Sequence, residues 1–338
     1  MKNRKCGFFK KIFLALFTVG LLCGALELVL RAGVFENQYA AGAALAGELH
    51  HPESKGMILG DSFLANWGNG QSLSELLSRE LKIKGVQILN TANFGYGPAD
   101  YLLQMKAYGA DFHPQWVLLF YYAGNDLTDM QYRHGWKQTL KPWLVRWRLF
   151  HFLKSKLEAL RRKGIDYAGA RQSGADPEAI RLAEAGQINP WLIALSQKEP
   201  GFLLDNLLME TEENRKAWGQ AQDRLQEIRR ISNRLGADFS LVMIPSTAQV
   251  NSSHFDFYRG LGFKVDVRTF HESAPQQRMK EFCEKEKINC LDLLPFFRAR
   301  KEEEFYRAGD DHFNREGNEF AKSLVMDFLK GRMRSGNF

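Results

Sequence analysis

Four short clusters along this chain hold the side chains that acyl transfer needs. Gly60-Asp61-Ser62 comes first, then Asn90 with Gly95 and Gly97 in the run NTANFGYG, then Gly124-Asn125-Asp126, and near the C-terminus Gly309-Asp310-Asp311-His312. A serine hydroxyl is a weak nucleophile near neutral pH and needs a base beside it, a role that His312 fits. A carboxylate two residues earlier, Asp310, can orient the imidazole and stabilise its charged form. Asp311 offers the same group one residue later. The tetrahedral intermediate then needs donors aimed at its oxygen, and the Ser62 N–H, the Gly95 N–H and the Asn125 side-chain amide are the candidates. Losing one such donor typically costs about 3 kcal/mol of transition-state stabilisation.

Each cluster also has a plainer reading. Asp61 and Ser62 suit a helix cap, Asn125-Asp126 suits a turn, and Asp310–His312 suits the start of a last helix. A metal-dependent phosphoesterase is a second chemistry, with Asp61, Asp126, Asp310 and His312 as ligands. Such sites usually want further histidines or a D-x-D near the first strand, and Gly60-Asp61-Ser62-Phe63 has neither. A non-catalytic scaffold in an envelope assembly is a third reading, favoured if Ser62 and His312 lie too far apart to meet.

The elements that must position these residues are legible as apolar runs at 57–59, 86–89, 116–121, 239–244 and 288–291. Each is apolar at most of its positions on both faces, as expected of strands buried on both sides. Helical patterns fall at 71–84, 99–109, 214–235 and 276–287, with a last one at 316–330. Strand–helix alternation of this kind predicts an α/β fold, a doubly wound parallel five-stranded sheet with helices on both faces. Such sheets gather their sites at the carboxyl ends of the strands. Three clusters directly follow a run and the fourth precedes the last helix, so all four are expected on one edge.

In that order, GDS, N-x-x-x-x-G-x-G, GND and D-x-H resemble the GDSL/SGNH hydrolase superfamily, over about residues 55–126 and 236–330. The resemblance implies a flavodoxin-like sheet and an esterase or O-acyltransferase working without a cofactor. It implies Ser62 as nucleophile, Gly95 and Asn125 as oxyanion donors and His312 as base. Most of the family places its aspartate three residues before the histidine, where this chain has Gly309. The D-x-H spacing is similar to the membrane-associated branch that includes alginate O-acetylation proteins, which points to Asp310. Position 92 is Ala where relatives commonly have Gly.

Residues 1–11 hold five cations and no acid, and an uncharged apolar run follows from Ile12 to Leu26, extended by Leu28–Leu30 after Glu27. The span from Phe8 to Leu30 is close to the ~20 residues that cross a bilayer as a helix. Cations before it, and only Arg31 closely after it, predict a cytoplasmic N-terminus and an extracytoplasmic remainder. A cleaved signal peptide is the rival reading, with Cys23-Gly24-Ala25 as the cleavage site, whereas Glu27 and Arg31 at i, i+4 suit a continuing helix. The expected organisation is a basic tail at 1–11, a transmembrane signal anchor at 12–32, a linker at 33–54, a hydrolase domain in two pieces (55–133 and 216–332), and a helical insertion at 134–215.

The formal net charge of +7 is concentrated in that tail and in 134–164, where nine Lys/Arg face a single acid, Glu158. The rest of the chain is net acidic, so the overall basicity does not mark a nucleic-acid binder. Within 136–164, Trp143, Trp147, Phe150 and Phe152 interleave with the cations. That suits an anionic membrane surface, a groove for an acidic glycan, or a helical cap with a solvated basic face. Under the expected topology Cys283 and Cys290 lie in an oxidising compartment, as a disulfide or as two buried thiols on adjacent elements. The expected substrate is an acyl ester of a glycan, an envelope polymer or a lipid. Hydrolase and transferase share the acyl-enzyme and differ in whether water or an acceptor hydroxyl attacks it.

Overall fold

The computed structural model describes residues 2–31, 44–45, 49, 52–66, 71–132, 142–252 and 254–334. Five parallel strands, β2 (Ser54–Leu59), β3 (Val86–Asn90), β4 (Trp116–Tyr122), β5 (Asp238–Ile244) and β6 (Asn289–Asp292), lie in the order β3-β2-β4-β5-β6. This is the doubly wound α/β sheet that the apolar runs predict. A short β1 (Ala44–Leu45) adds antiparallel to the β3 edge. It falls within the stretch 33–54, most of which lies outside the described residues.

The strands alternate between two apolar layers, as a two-residue period requires. In β4, Val117, Leu119 and Tyr121 enter one core while Trp116, Leu118, Phe120 and Tyr122 enter the other. In β5, Phe239, Leu241 and Met243 go one way, and Val242 and Ile244 the other. Because both sides are buried, neither strand shows a polar alternation in its sequence.

Helices α2 (Leu73–Ile83), α3 (Pro98–Phe112), α4 (Asp126–Tyr132), α5 (Arg148–Lys163), α6 (Pro190–Lys198), α7 (Glu212–Arg234), α8 (Ala274–Glu286) and α9 (Arg315–Arg334) follow α1 (Lys2–Arg31). Residues of α3, α7 and α8 fill the first core and residues of α2 and α9 the second. Their ends are set locally. Ser72 accepts from the Glu75 N–H while the Glu75 carboxylate accepts from the Ser72 N–H, a capping box that starts α2. Asn314 Oδ1 accepts from the Gly317 N–H at 2.8 Å and starts α9 two residues after His312.

Between α4 and α7 the described chain forms a 3-10 turn at Leu144–Arg146, then α5, α6 and three shorter helices. Ala170, Ile180, Ile193, Leu203 and Leu207 from this stretch join the first core. The segment therefore extends the hydrophobic interior instead of hanging from it. Cys283 in α8 and Cys290 in β6 form a disulfide, their Cα atoms 6.4 Å apart. Within α1, Phe13–Arg31 is long and apolar enough to cross a membrane, with a mean hydropathy of 2.3. A signal sequence near an N-terminus meets the same test.

Candidate active site

The chain turns sharply where β2 ends. Asp61 Oδ1 accepts from the Phe63 N–H at 3.0 Å, and the Asp61 carbonyl accepts from the Leu64 N–H at 3.2 Å. An Asx turn of this kind leaves Ser62 at its crest. The Phe63 ring supports the turn from below, its centroid 4.5 Å from that of Tyr122, 4.8 Å from Phe313 and 5.0 Å from His312.

The end of β3 is tied to the same turn. Asn90 Nδ2 donates to the Leu64 carbonyl at 2.8 Å, while Asn90 Oδ1 accepts from the Ala92 N–H at 3.0 Å. The loop that carries Gly95 is thereby fixed relative to Ser62. Gly95 itself has φ 64°, a left-handed conformation that a side chain disfavours. Asn125 follows β4 by three residues. Strands β2 and β4 flank the point where the winding reverses, which is where open α/β sheets hold their ligands.

His312 arrives from the C-terminal side. Its Nε2 lies 2.7 Å from Ser62 Oγ, and its Nδ1 lies 3.0 Å from Asp310 Oδ1 and 3.3 Å from Asp311 Oδ1. This network selects the tautomer in which Nδ1–H donates to the carboxylate, leaving Nε2 to accept the serine proton. Asp310 Oδ1 also accepts from the Asp311 N–H at 2.9 Å and from Asn189 Nδ2 at 3.3 Å. Asp311 Oδ2 accepts from the Tyr122 hydroxyl at 3.3 Å. At Gly309 (φ 75°) an added Cβ would lie 2.6 Å from the Gln187 carbonyl oxygen, so the loop admits no side chain there.

The electrostatics divide the acids into two groups. Burial works against a charge on His312, but Asp310 and Asp311 outweigh it and push the imidazole up to about 9. Burial likewise opposes charge on Asp310, yet the charge and hydrogen bond of the His312 ring, with further hydrogen bonds from the Asp311 and Asn189 side chains, hold its carboxyl well below the usual range. Asp311 is pushed up to about 6, by burial first and then by the Asp310 charge. Beneath Ser62, burial pushes Asp61 up to about 7 despite the Phe63 N–H, and the charge on Asp129 adds to it. Asp126 is raised as well, by burial and by Asp61.

Of the residues singled out in the sequence, Ser62, His312 and Asp310 are in direct contact. Asp311 joins them, and Gly95 and Asn125 are brought to the same edge by the strands they follow. Asn189 was not legible. Asn189-Pro190 reads only as a helix start, and the side chain does cap α6, accepting from the Trp191 N–H at 3.1 Å. Nothing in the pattern ties it to a carboxylate 121 residues later. The phosphoesterase reading gains nothing from the geometry. Asp126 accepts from the Tyr101 hydroxyl at 2.8 Å and the Tyr122 N–H at 2.9 Å, so both its oxygens are engaged by the core. Among the described residues, Asp310, Asp311 and His312 alone cluster as metal-type ligands, and both His312 nitrogens are already occupied by Ser62 and Asp310.

No family model matches the chain, and no curated protein does. Solved structures of esterases and acylhydrolases are similar to it. A psychrotrophic esterase from Pseudoalteromonas sp. is 12% identical, with a TM-score of 0.41, over 83% of this chain and 100% of that one. A lipase/acylhydrolase from Enterococcus faecalis is 14% identical, with a TM-score of 0.42, over 82% and 96%. A catalytic mutant of an acetylxylan esterase from Geobacillus stearothermophilus is 9% identical, with a TM-score of 0.44, over 82% and 94%. At such scores and identities, the roles of individual residues rest on this chain's own geometry.

Proposed function

We propose that the chain is an extracytoplasmic serine esterase or O-acyltransferase, held to a membrane by α1 and working through an acyl-enzyme on Ser62. The observation that carries this reading is the continuous contact from Ser62 Oγ through the His312 ring to Asp310. Ser62 Oγ attacks the acyl carbonyl while His312 Nε2 takes its proton, and Asp310 stabilises the resulting imidazolium. The Ser62 N–H, the Gly95 N–H and the Asn125 amide receive the developing oxyanion. Collapse of the intermediate expels the alcohol, which takes the proton from His312 and leaves the acyl group on Ser62. Water or an acceptor hydroxyl then attacks with His312 again as base, regenerating the serine.

The cations ahead of the apolar span and the Cys283–Cys290 disulfide, a bond that persists in oxidising compartments, support this location. The basic, aromatic stretch 136–164 supports an anionic partner near the site, and the acyl ester of a glycan, envelope polymer or lipid remains the substrate class. The test is turnover of p-nitrophenyl acetate by the full-length protein in detergent. Ser62→Ala is expected to abolish it with the thermal transition preserved, and adding acceptor polysaccharide separates transfer from hydrolysis. Full turnover in Ser62→Ala would sink the proposal.

A further inference from the structure

Helix α1 does not stand free of the folded body. Its last turn is docked on the first turn of α5, where a helix leaves backbone N–H groups without internal partners. Glu27 supplies the missing acceptors. Its Oε1 accepts from the Arg148 N–H at 3.1 Å and its Oε2 from the Leu149 N–H at 2.8 Å. Arg31 donates to the same carboxylate at 2.7 Å and to the Arg146 carbonyl at 3.4 Å, and the Arg148 side chain donates to the Leu30 carbonyl at 3.1 Å. The turn before α5 is in turn fastened to α3, with the Tyr108 hydroxyl donating to the Val145 carbonyl at 2.9 Å and the Arg146 guanidinium donating to the Ala107 carbonyl. From Phe13 onward α1 presents apolar side chains to its surroundings, among them Phe13, Leu14, Phe17, Leu21 and Leu22.

Beyond this junction, helix α5 carries an uncovered apolar surface of its own. Leu153, Leu157 and Leu160, spaced to share one helix face, are 56%, 51% and 65% exposed, and Trp143 just before the helix is 54% exposed. Cations flank the stripe, with Arg148 and Lys156 exposed and Arg161, Arg162 and Lys163 closing the helix in sequence. An apolar face bordered by cations, preceded by tryptophan, is the composition of a helix lying at a lipid headgroup boundary. On the other side, Lys154 Nζ sits 4.8 Å from the ring centroid of Tyr96, the residue after Gly95. Leu149 and Lys154 are five residues apart, or roughly 7.5 Å along a helix.

We infer that α5 is an interfacial helix lying on the anionic surface of the same bilayer that α1 crosses, with Glu27 as the joint between them. The Gly95 loop is thereby held close to that surface, and the acyl-enzyme site works at the membrane instead of at the end of a flexible tether. The inference rests on the membrane-anchor part of the proposal above and is independent of the serine chemistry. A lipid surface is favoured over a protein partner because the helix that carries the stripe is fastened to the end of α1 and its border is cationic.

The test uses the full-length chain in vesicles of phosphatidylcholine with about a third phosphatidylglycerol. A benzophenone side chain is placed in turn at Phe17, Leu157, Leu160 and Glu178, and adducts are identified by mass after irradiation. Lipid adducts are expected at Phe17, Leu157 and Leu160, with none at Glu178, and the adducts at α5 should fall in pure phosphatidylcholine. Adducts at Phe17 without any at Leu157 or Leu160 would overturn the inference, as would a cross-linked second copy of the chain at those positions. Equal adduct yield at α5 in both vesicle types would overturn the anionic surface. Absence of adducts at Phe17, or a mature chain lacking Glu27, would remove the anchor itself. Turnover of p-nitrophenyl acetate, measured on the same samples, reports the catalytic proposal separately.

Discussion

Asp310 beside His312 and the two acids beneath Ser62, Asp61 and Asp126, are held in opposite charge states. Asp310 and Asp311 sit beside His312, where the imidazole, the Asp311 N–H and the Asn189 amide share the negative charge of Asp310. Asp61 and Asp126 lie underneath, fully buried, and neither forms an ion pair among the described residues. Asp61 leaves Oδ2 without a hydrogen-bond partner, and burial drives both toward the neutral form. The difference shows what a catalytic carboxylate requires in a dry site. Charge persists on Asp310, where a cation joins the directed donors, whereas Asp126, with two donors and no cation in contact, is a structural acid.

Removing the charge beside His312 should have the largest effect. Asp310→Asn is expected to lower kcat for a soluble ester by about three to four orders of magnitude, because the ring loses its orienting and stabilising partner. Comparable activity in that variant would give the orienting role to Asp311. Next comes Asn189. Asn189→Ser keeps an N-cap for α6 but withdraws the amide from Asp310, and the loss of one hydrogen bond to a charged group should lower kcat about tenfold. Unchanged kcat together with an unchanged pH profile would make Asn189 only a cap.

Asp311 sharpens the comparison through pH. His312 acts as a base only when neutral, so kcat/KM should rise with pH along a limb centred near the raised value of about 9. In Asp311→Asn one of the two charges holding the proton on the ring is gone, and the limb should move to lower pH. A limb that stays in place would show that His312 does not feel Asp311. The smallest effect is expected beneath the nucleophile. A carboxyl whose folded-state pKa lies above its unfolded value loses stability as pH rises from the ordinary carboxylate range to the folded value, about 7 for Asp61. Asp61→Asn should therefore raise Tm at pH 8, with the gain shrinking toward pH 5. A gain that is independent of pH would mean that Asp61 is not the titrating group.

Much of the fold was legible because buried parallel strands leave predominantly apolar runs without polar alternation. The run read at 116–121 is β4, Trp116–Tyr122, and that at 239–244 lies within β5, Asp238–Ile244. The Ser62, Asp310 and His312 side chains were legible because serine chemistry demands those residue types, here after the first strand and ahead of the last helix. Three things were not. The six-stranded count escaped because β1 has only two residues, too few to show a period. Asn189 escaped because its local role as a cap hides its distant one. The contact of Glu27 with α5 escaped because its partners are backbone N–H groups, which every residue but proline carries and which therefore leave no mark in a sequence.

The central claim is that Ser62 is the activated nucleophile, and covalent labelling tests it most directly. Full-length protein treated with a fluorophosphonate, digested and mapped by mass spectrometry should carry the adduct on Ser62 alone. The adduct should be absent from Ser62→Ala and strongly diminished in His312→Ala. A protein that turns over esters yet carries the label on another residue, or one that labels equally after Ser62→Ala, would contradict the account.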